Sequence, residues 1–205
     1  MATSATPYGA RPIGTLSASG SFTAKVRQLP IASGYGTAIM NGDFVKIVAD
    51  GDIELDNGTT SLTTCGIFVG CSYTPSTTNQ KTFNTQWPAS TVASDAMAFV
   101  IDDPNVVFQM QADGEMETAD RGMNLAVIYA IGSTAIGKSK SKIDASSVAA
   151  TATLPLRLLD FVDGPDSLAP VGTTASDGFP DVIVKFNAAS SGSASTHQYL
   201  NATGA

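Results

Sequence analysis

Short runs of alternating apolar and polar residues dominate the pattern of this chain. In the segment SFTAKVRQL, Phe22, Ala24 and Val26 point to one face of an extended backbone, and the polar or charged residues between them point to the other. This period of two is typical of a β-strand with one buried face. Seven further segments rich in Val, Ile, Phe and Thr also indicate strands: DFVKIVA, TTCGIFVGCSY, AMAFVID, NVVFQMQ, NLAVIYAI, LPLRLLDFV and DVIVKF.

Tight-turn residues separate these runs. Asp-Gly and Asn-Gly pairs, such as Asp50-Gly51, accommodate the positive φ of hairpin turns. The best helical alternative is SSVAATATL, which its β-branched residues and the following Pro155 disfavour. We therefore predict an all-β fold, an antiparallel β-barrel or sandwich of about eight strands.

The two ends of the chain have a different composition from the middle. We predict an extended N-terminal arm over residues 1–20, a β domain over 21–187 and a low-complexity C-terminal tail over 188–205. Neither end can bury enough apolar surface to offset its chain entropy, so we expect a neighbouring subunit or a larger assembly to order both. The expected anchors of these contacts are large side chains: Tyr8, Arg11, Ile13, Leu16, His197, Tyr199 and Leu200.

Composition and charge narrow the function classes. The 205 residues suffice for one domain, and only 14% of them are charged, which predicts a polar but weakly charged surface. A net charge of −7 argues against nucleic-acid binding, which needs a basic surface. No apolar run approaches the ~20 residues of a membrane span. The N-terminus lacks the pattern of a secretory signal, so residence in a cytosol is expected.

The two cysteines indicate neither a disulfide nor a metal site. Cys65 and Cys71 lie in one predicted strand, which separates them by roughly 20 Å, whereas a disulfide needs Cα atoms within about 7 Å. With His197 as the only histidine, a Cys/His zinc site is not expected. We predict buried, inert thiols and no cofactor.

Asp102 and Asp103 are the most conspicuous pair of carboxylates. Neighbouring side chains on a strand point to opposite faces, so they do not converge on one substrate. Pro104 forces its predecessor into an extended conformation and cannot donate to a β-ladder. We therefore interpret the pair as a turn in which one carboxylate accepts backbone amides, and we predict no catalytic residue. An enzyme built around this pair remains the alternative hypothesis.

Two further motifs resemble sites without meeting their requirements. The segment DGDIELDNG places four carboxylates on one strand face, but a calcium loop of the EF-hand type needs Gly where Leu55 lies and Glu where Ser61 lies. The solvated face of a hairpin is favoured, and no metal is predicted. The Ser-x-x-Lys match at residues 139–142 lacks the helix and the partner motifs of a serine acyl-enzyme.

The single tryptophan, Trp87, permits two interpretations. An exposed ring is suited to stacking on a carbohydrate or to anchoring a protein interface. Alternatively, the ring is partly buried and covers one end of the β domain. The sequence leaves both open.

Several segments resemble small structural proteins of tailed bacteriophages, the capsid decoration or cement proteins. The similarity covers roughly residues 5–190 and is carried by YGARPIG, GDFVKIV, GIFVGCSYTP, FVIDDPNVVFQMQADG, ADRGMNLAV and ATATLPLRLLDFVDGPDS. The resemblance implies an all-β protein without catalytic residues, bound to the outer surface of the virion head and stabilising joints between major capsid subunits. Assembly in the host cytoplasm is also implied.

The implied partners are the major capsid protein and further copies of this chain. A thin β domain with exposed edges gains by pairing them, and analogy with head-decorating proteins favours a homotrimer, with a dimer as the alternative. Neither nucleic acid nor a membrane is expected as a partner. The competing hypothesis is a carbohydrate-binding fibre or spike module that uses Trp87 and nearby Asn and Gln residues.

Overall fold

The computed structural model describes residues 4–16, 25–165, 167–187 and 196–201. Within these ranges the chain is all-β, with two single 3-10 turns at Thr118–Asp120 and Gln198–Leu200. The fourteen strands are β1 (Arg11–Thr15), β2 (Val26–Pro30), β3 (Ile39–Met40), β4 (Phe44–Ile47), β5 (Ile53–Leu55), β6 (Gly66–Tyr73), β7 (Thr82–Asn84), β8 (Gln86–Trp87), β9 (Met97–Ile101), β10 (Val106–Gln111), β11 (Asn124–Ile128), β12 (Lys142–Ala149), β13 (Leu156–Phe161) and β14 (Asp181–Phe186).

Two antiparallel six-stranded sheets contain most of these strands. Sheet A has the order β1-β10-β14-β13-β11-β12. Sheet B has the order β2-β9-β6-β4-β5, and β7 also pairs with β6. The sheets form a β-sandwich, which decides between the barrel and the sandwich predicted from the sequence.

The main core lies between the two sheets. Phe44 of sheet B meets Phe108 and Phe186 of sheet A edge to face, with ring centroids 5.7 and 6.0 Å apart. Ile67 and Ile101 of sheet B are buried in the same cluster. Burial of such side chains stabilises a fold by about 1.5–3 kcal/mol each, so this cluster holds the sheets together.

A second core covers the opposite face of sheet B. There Phe68, Cys71 and Val100 pack against Ile39 and Trp87, which belong to the small β3–β8 ladder. Sheet B therefore has buried residues on both faces. This arrangement explains the near-continuous apolar run of β6, since a strand buried on both sides needs no polar alternation.

All eight strand segments predicted from the sequence contain a strand, and the count of about eight is too low. The additional short strands β3, β5, β7 and β8 have two or three residues each, too few for a period to be visible. The predicted hairpin at Asp50-Gly51 is confirmed: Gly51 has φ of +85° and joins the antiparallel strands β4 and β5. The longer strand β12 overlaps the segment that offered a helical alternative, and that part of the chain is extended.

The sequence predicted an extended arm over residues 1–20 that does not pair with another strand, and this prediction is wrong for residues 11–15. They form β1, an edge strand of sheet A whose register with β10 shifts between Pro12 and Gly14. Just before it, the Ala10 amide donates to the Gly42 carbonyl at 2.9 Å. Gly9 has φ of +77°, and a Cβ there would lie 2.4 Å from the Cβ of Ser139, so only glycine fits this close approach. These residues are ordered by their own chain.

Part of the predicted C-terminal tail also packs against its own domain. His197 forms an isolated parallel bridge with Thr64, and the Gln198 amide donates to the Thr64 carbonyl at 2.8 Å. The expectation that a neighbouring subunit or a larger assembly orders this segment does not hold for residues 196–201, which contact their own domain. Residues 1–3, 17–24, 188–195 and 202–205 of the predicted arm, domain and tail lie outside the described residues.

Candidate interaction surfaces

Each of the two sheets ends in a strand near the start of the chain. Among the described residues, β1 pairs only with β10, and β2 pairs only with β9. β9 and β10 follow each other through residues 102–105, so β1 and β2 flank the two strands that this corner joins. All five residues of β2 are exposed or half-buried. The outer edge of a strand at the end of a sheet is a place where another chain can add a strand.

An apolar patch lies on sheet B beside this edge. It consists of Phe83 on β7 with Met97 and Phe99 on β9, and we call it the aromatic patch. In the ladder both Phe83 and Met97 lie opposite Ser72 of β6. The Phe83 and Phe99 rings stack with centroids 6.5 Å apart and planes 8° from parallel. Phe83 remains 72% exposed.

The aromatic patch is exposed because sheet A covers only part of this face of sheet B. Ile101, Phe99 and Met97 alternate along β9 and therefore point to the same face. Ile101 is buried in the core between the sheets, whereas Met97 is 36% exposed. The apolar residues on this face of β9 therefore extend from the buried Ile101 to the exposed Met97.

Some of the residues predicted as interface anchors are exposed, and others are buried. Ile13 and Leu16 on or next to β1 are 40% and 51% exposed, and Tyr199 and Leu200 are 44% and 51% exposed. These four lie at surfaces. The first two lie on or directly after β1 of sheet A, and the last two follow the isolated bridge between His197 and Thr64.

Trp87 and His197 are not surface residues. The Trp87 side chain has no exposed area, packs edge to face on Tyr73 with centroids 5.3 Å apart, and donates from Nε1 to the Tyr35 carbonyl at 3.3 Å. Its role as an exposed anchor or a sugar platform is therefore contradicted. His197 is equally buried and packs on Phe186. Burial lowers the pKa of His197 to about 4, so this ring is neutral at pH 7.

Asp102 and Asp103 have different structural roles. The Asp102 carboxylate, 4% exposed, accepts a hydrogen bond from the Arg27 guanidinium, which also lies over the Tyr199 ring. Asp103 caps the corner: its Oδ1 accepts from the Asn105 amide at 2.8 Å, as predicted for a turn. The pair joins the β2 edge, the β9–β10 corner and the C-terminal segment. Sequence reasoning missed Arg27 as the partner, since 75 residues separate it from Asp102.

The four carboxylates of the DGDIELDNG segment do not form one solvated face. Asp56 is 5% exposed, and its two oxygens accept from the Gly58 and Thr63 amides at 3.1 and 2.9 Å. The prediction is wrong for Asp56, because its oxygens cap a turn inside the fold. Within the described ranges, no group of three or more His, Cys, Asp or Glu side chains could hold a metal ion.

The cysteines are buried and free, as predicted. Burial raises the pKa of each thiol to about 12, so neither is a reactive thiolate at neutral pH. In the part of the chain that the structure describes, no helix is long and apolar enough to cross a membrane.

Comparisons with known proteins identify no relative. No protein-family model, no curated protein and no solved structure matches this chain.

Proposed function

We propose that this chain is a structural protein of a tailed-phage virion, bound to the outer surface of the head and stabilising joints between major capsid subunits. The observation that carries the proposal is the aromatic patch beside the outer edge of β2. Aromatic and Met side chains are enriched at protein interfaces, where they supply large contact areas. An exposed Phe83 that stacks on the half-buried Phe99, close to the outermost strand of the sheet, is the arrangement that a protein partner would cover.

The weakly charged surface supports the same function. Few long charged side chains need to be immobilised when such a surface is covered, which lowers the entropic cost of association. The choice of a phage head as the partner rests on the sequence resemblance. The exposed patch and edges support a protein partner without specifying which one.

The structure does not favour the two competing hypotheses, a carbohydrate-binding module and an enzyme, at the residues that were central to each. A carbohydrate-binding module built on Trp87 needs an exposed ring, and this ring is buried. An enzyme built on Asp102 and Asp103 needs two carboxylates that converge, whereas one is paired with Arg27 and the other caps a turn. The structural function needs neither site.

We further propose self-association into a closed oligomer on the head, with a trimer as the expected state. Pairing of the outer edges of β1 or β2 between copies would extend a sheet across the interface. Sedimentation equilibrium of the free protein gives its mass directly. A trimer or dimer supports pairing between copies, and a monomer at all concentrations would leave the capsid as the only partner.

Binding to heads tests the proposed function. Heads of the phage that encodes this chain, prepared without it, are pelleted through a sucrose cushion with the purified wild type, with Phe83→Ser or with Val171→Ser. Val171 is a matched control because it is 75% exposed and lies outside the aromatic patch, on the loop before β14. We expect the wild type and Val171→Ser to pellet with heads and Phe83→Ser to bind at least about tenfold more weakly. Wild-type protein that stays in the supernatant would contradict the proposal.

A further inference from the structure

A cavity of about 380 Å³ lies between the segment before β1, the strands β10 and β14, and the loops before β4 and β12. Its polar wall consists of Tyr8, Arg11, Asn41, Gln109, Lys138 and Asp181. The site shares no residue with the aromatic patch, and two of its residues, Arg11 and Pro12, lie on β1. The lining also includes two apolar residues, Ala10 and Pro12.

Two cations line one part of this cavity. Lys138 is fixed there by a hydrogen bond from its Nζ to Asn41 Oδ1 at 3.2 Å. Asn41 is itself held by donation from its Nδ2 to the Val69 carbonyl at 2.8 Å. Arg11 has no ion pair with any described carboxylate. In a chain of net charge −7, a guanidinium and an ammonium that line one cavity are suited to binding a carboxylate.

Neutral and acidic hydrogen-bonding groups form the rest of the wall. Gln109 Nε2 donates to Asp181 Oδ2 at 2.8 Å, which orients the carboxylate. Tyr8 lies against Asp181, and burial followed by the Asp181 charge raises the pKa of the Tyr8 hydroxyl far above its ordinary value. The phenol therefore stays protonated. Asp181 is an acceptor for hydroxyl groups and would repel a second negative charge on a ligand.

Backbone contacts of the fold hold together the segments that line the cavity. The tight contact of Gly9 with Ser139 and the bond from the Ala10 amide to the Gly42 carbonyl place Tyr8 and Arg11 against the loop that contains Lys138. The register shift in β1 after Pro12 occurs at the same place. Bulges of this kind often re-aim side chains next to binding sites.

We propose that this cavity binds one carboxylate-bearing sugar unit. The carboxylate would pair with Arg11 and Lys138, and the ring hydroxyls would donate to Asp181 and bond with Tyr8 and Gln109. A phosphate dianion fits poorly because Asp181 shares the cavity. At about 380 Å³ the volume is at the lower end of ligand pockets and suits a single ring, whose apolar face Ala10 and Pro12 would contact.

Such a unit has two sources, a free sugar acid and the terminal residue of an acidic glycan. Isothermal titration calorimetry of the full chain distinguishes them with glucuronate, N-acetylneuraminate and oligosaccharides that end in either residue. Neutral glucose and inorganic phosphate serve as ligand controls. We expect dissociation constants of the free acids in the range of about 0.1–10 mM and no measurable binding of glucose. Tighter binding of the oligosaccharides would identify a glycan as the source.

Matched variants test the residues. Arg11→Gln and Lys138→Gln should each weaken binding of the acid by at least about tenfold, because each removes a charge that meets the carboxylate. Lys140→Gln is the control, since Lys140 is exposed two residues away and does not line the cavity. Both target side chains are exposed, so the variants should keep the wild-type melting temperature. Absence of binding by the wild type, equal binding by Arg11→Gln, or phosphate binding more tightly than the sugar acids would overturn the proposal, whatever the result with heads.

Discussion

The side-chain amide of Gln198 forms two hydrogen bonds with the backbone of Ile47. Gln198 Oε1 accepts from the Ile47 amide at 2.7 Å, and its Nε2 donates to the Ile47 carbonyl at 2.8 Å. The side chain thus pairs with β4 as the backbone of an added strand residue would. This contact fixes the C-terminal segment on the domain across 151 positions of sequence.

Replacing Gln198 by Ala should therefore destabilise the isolated domain. Two partly buried hydrogen bonds are lost, and we expect the free energy of unfolding to fall by about 1–3 kcal/mol in urea titrations. Gln80→Ala is the control, because Gln80 is exposed and should change stability by less than about 0.5 kcal/mol. Equal stability of the two variants would mean that residues 196–201 are not held on the domain in solution.

The fold class was predictable from the sequence, and the attachment of the two ends was not. Alternating runs such as that of β14 depend only on neighbouring residues, so their pattern is visible locally. β1 contains Pro12 and Gly14 and a register shift, which hide its period. The Gln198–Ile47 pairing joins distant positions and leaves no local pattern. The burial of Trp87 depends in the same way on Tyr35 and Tyr73, far from it in sequence.

The candidate surfaces were predictable only in part. Exposed Ile13, Leu16, Tyr199 and Leu200 follow from large side chains in polar segments. The aromatic patch does not, because it needs the register that places both Phe83 and Met97 opposite Ser72. Composition alone cannot supply this register.

Asp102 and Asp103 should respond differently to replacement by Asn. Asp102→Asn removes the charge of a buried carboxylate that pairs with Arg27, and we expect a loss of about 1–3 kcal/mol. Asp103→Asn keeps an oxygen that can accept from the Asn105 amide, so the loss should stay below about 0.5 kcal/mol. Chemical denaturation of both variants under the same conditions gives the comparison. A larger loss for Asp103→Asn would reverse the assigned roles.

Asp43 should make the protein more stable in mild acid. Its side chain is 1% exposed, and burial raises its pKa from 3.8 to about 6. Between these values the folded state holds a proton that the unfolded state releases, so this stabilisation is present below about pH 4 and is lost as pH rises through 6. The stability of the wild type relative to Asp43→Asn should increase by about 2–2.5 kcal/mol from pH 7 to pH 4. If the difference in unfolding free energy between the wild type and Asp43→Asn does not change with pH, burial does not raise the pKa of Asp43.

His197 should have the opposite effect over nearly the same pH range. Its pKa is lowered from 6.5 to about 4 by burial, which the charges of Asp102 and Asp103 offset only in part. Below pH 6.5 the unfolded state binds a proton at His197, whereas the folded state binds it only near pH 4. The stabilisation from neutral His197 is therefore complete above pH 6.5 and is lost as pH falls through 4. Relative to His197→Gln, the wild type should lose about 3 kcal/mol from pH 7 to pH 4. The slope with pH is the test, because the variant also loses packing at all pH values.

Electron cryomicroscopy of heads prepared without this chain, imaged before and after addition of the purified protein, tests the structural function most directly. We expect additional density on the outer surface of the head, at the joints between major capsid subunits and arranged around local three-fold positions. Phe83→Ser at the same concentration should leave these positions empty, and Val171→Ser should fill them. Identical maps before and after addition of the wild type, or new density confined to the tail, would contradict a decorating role.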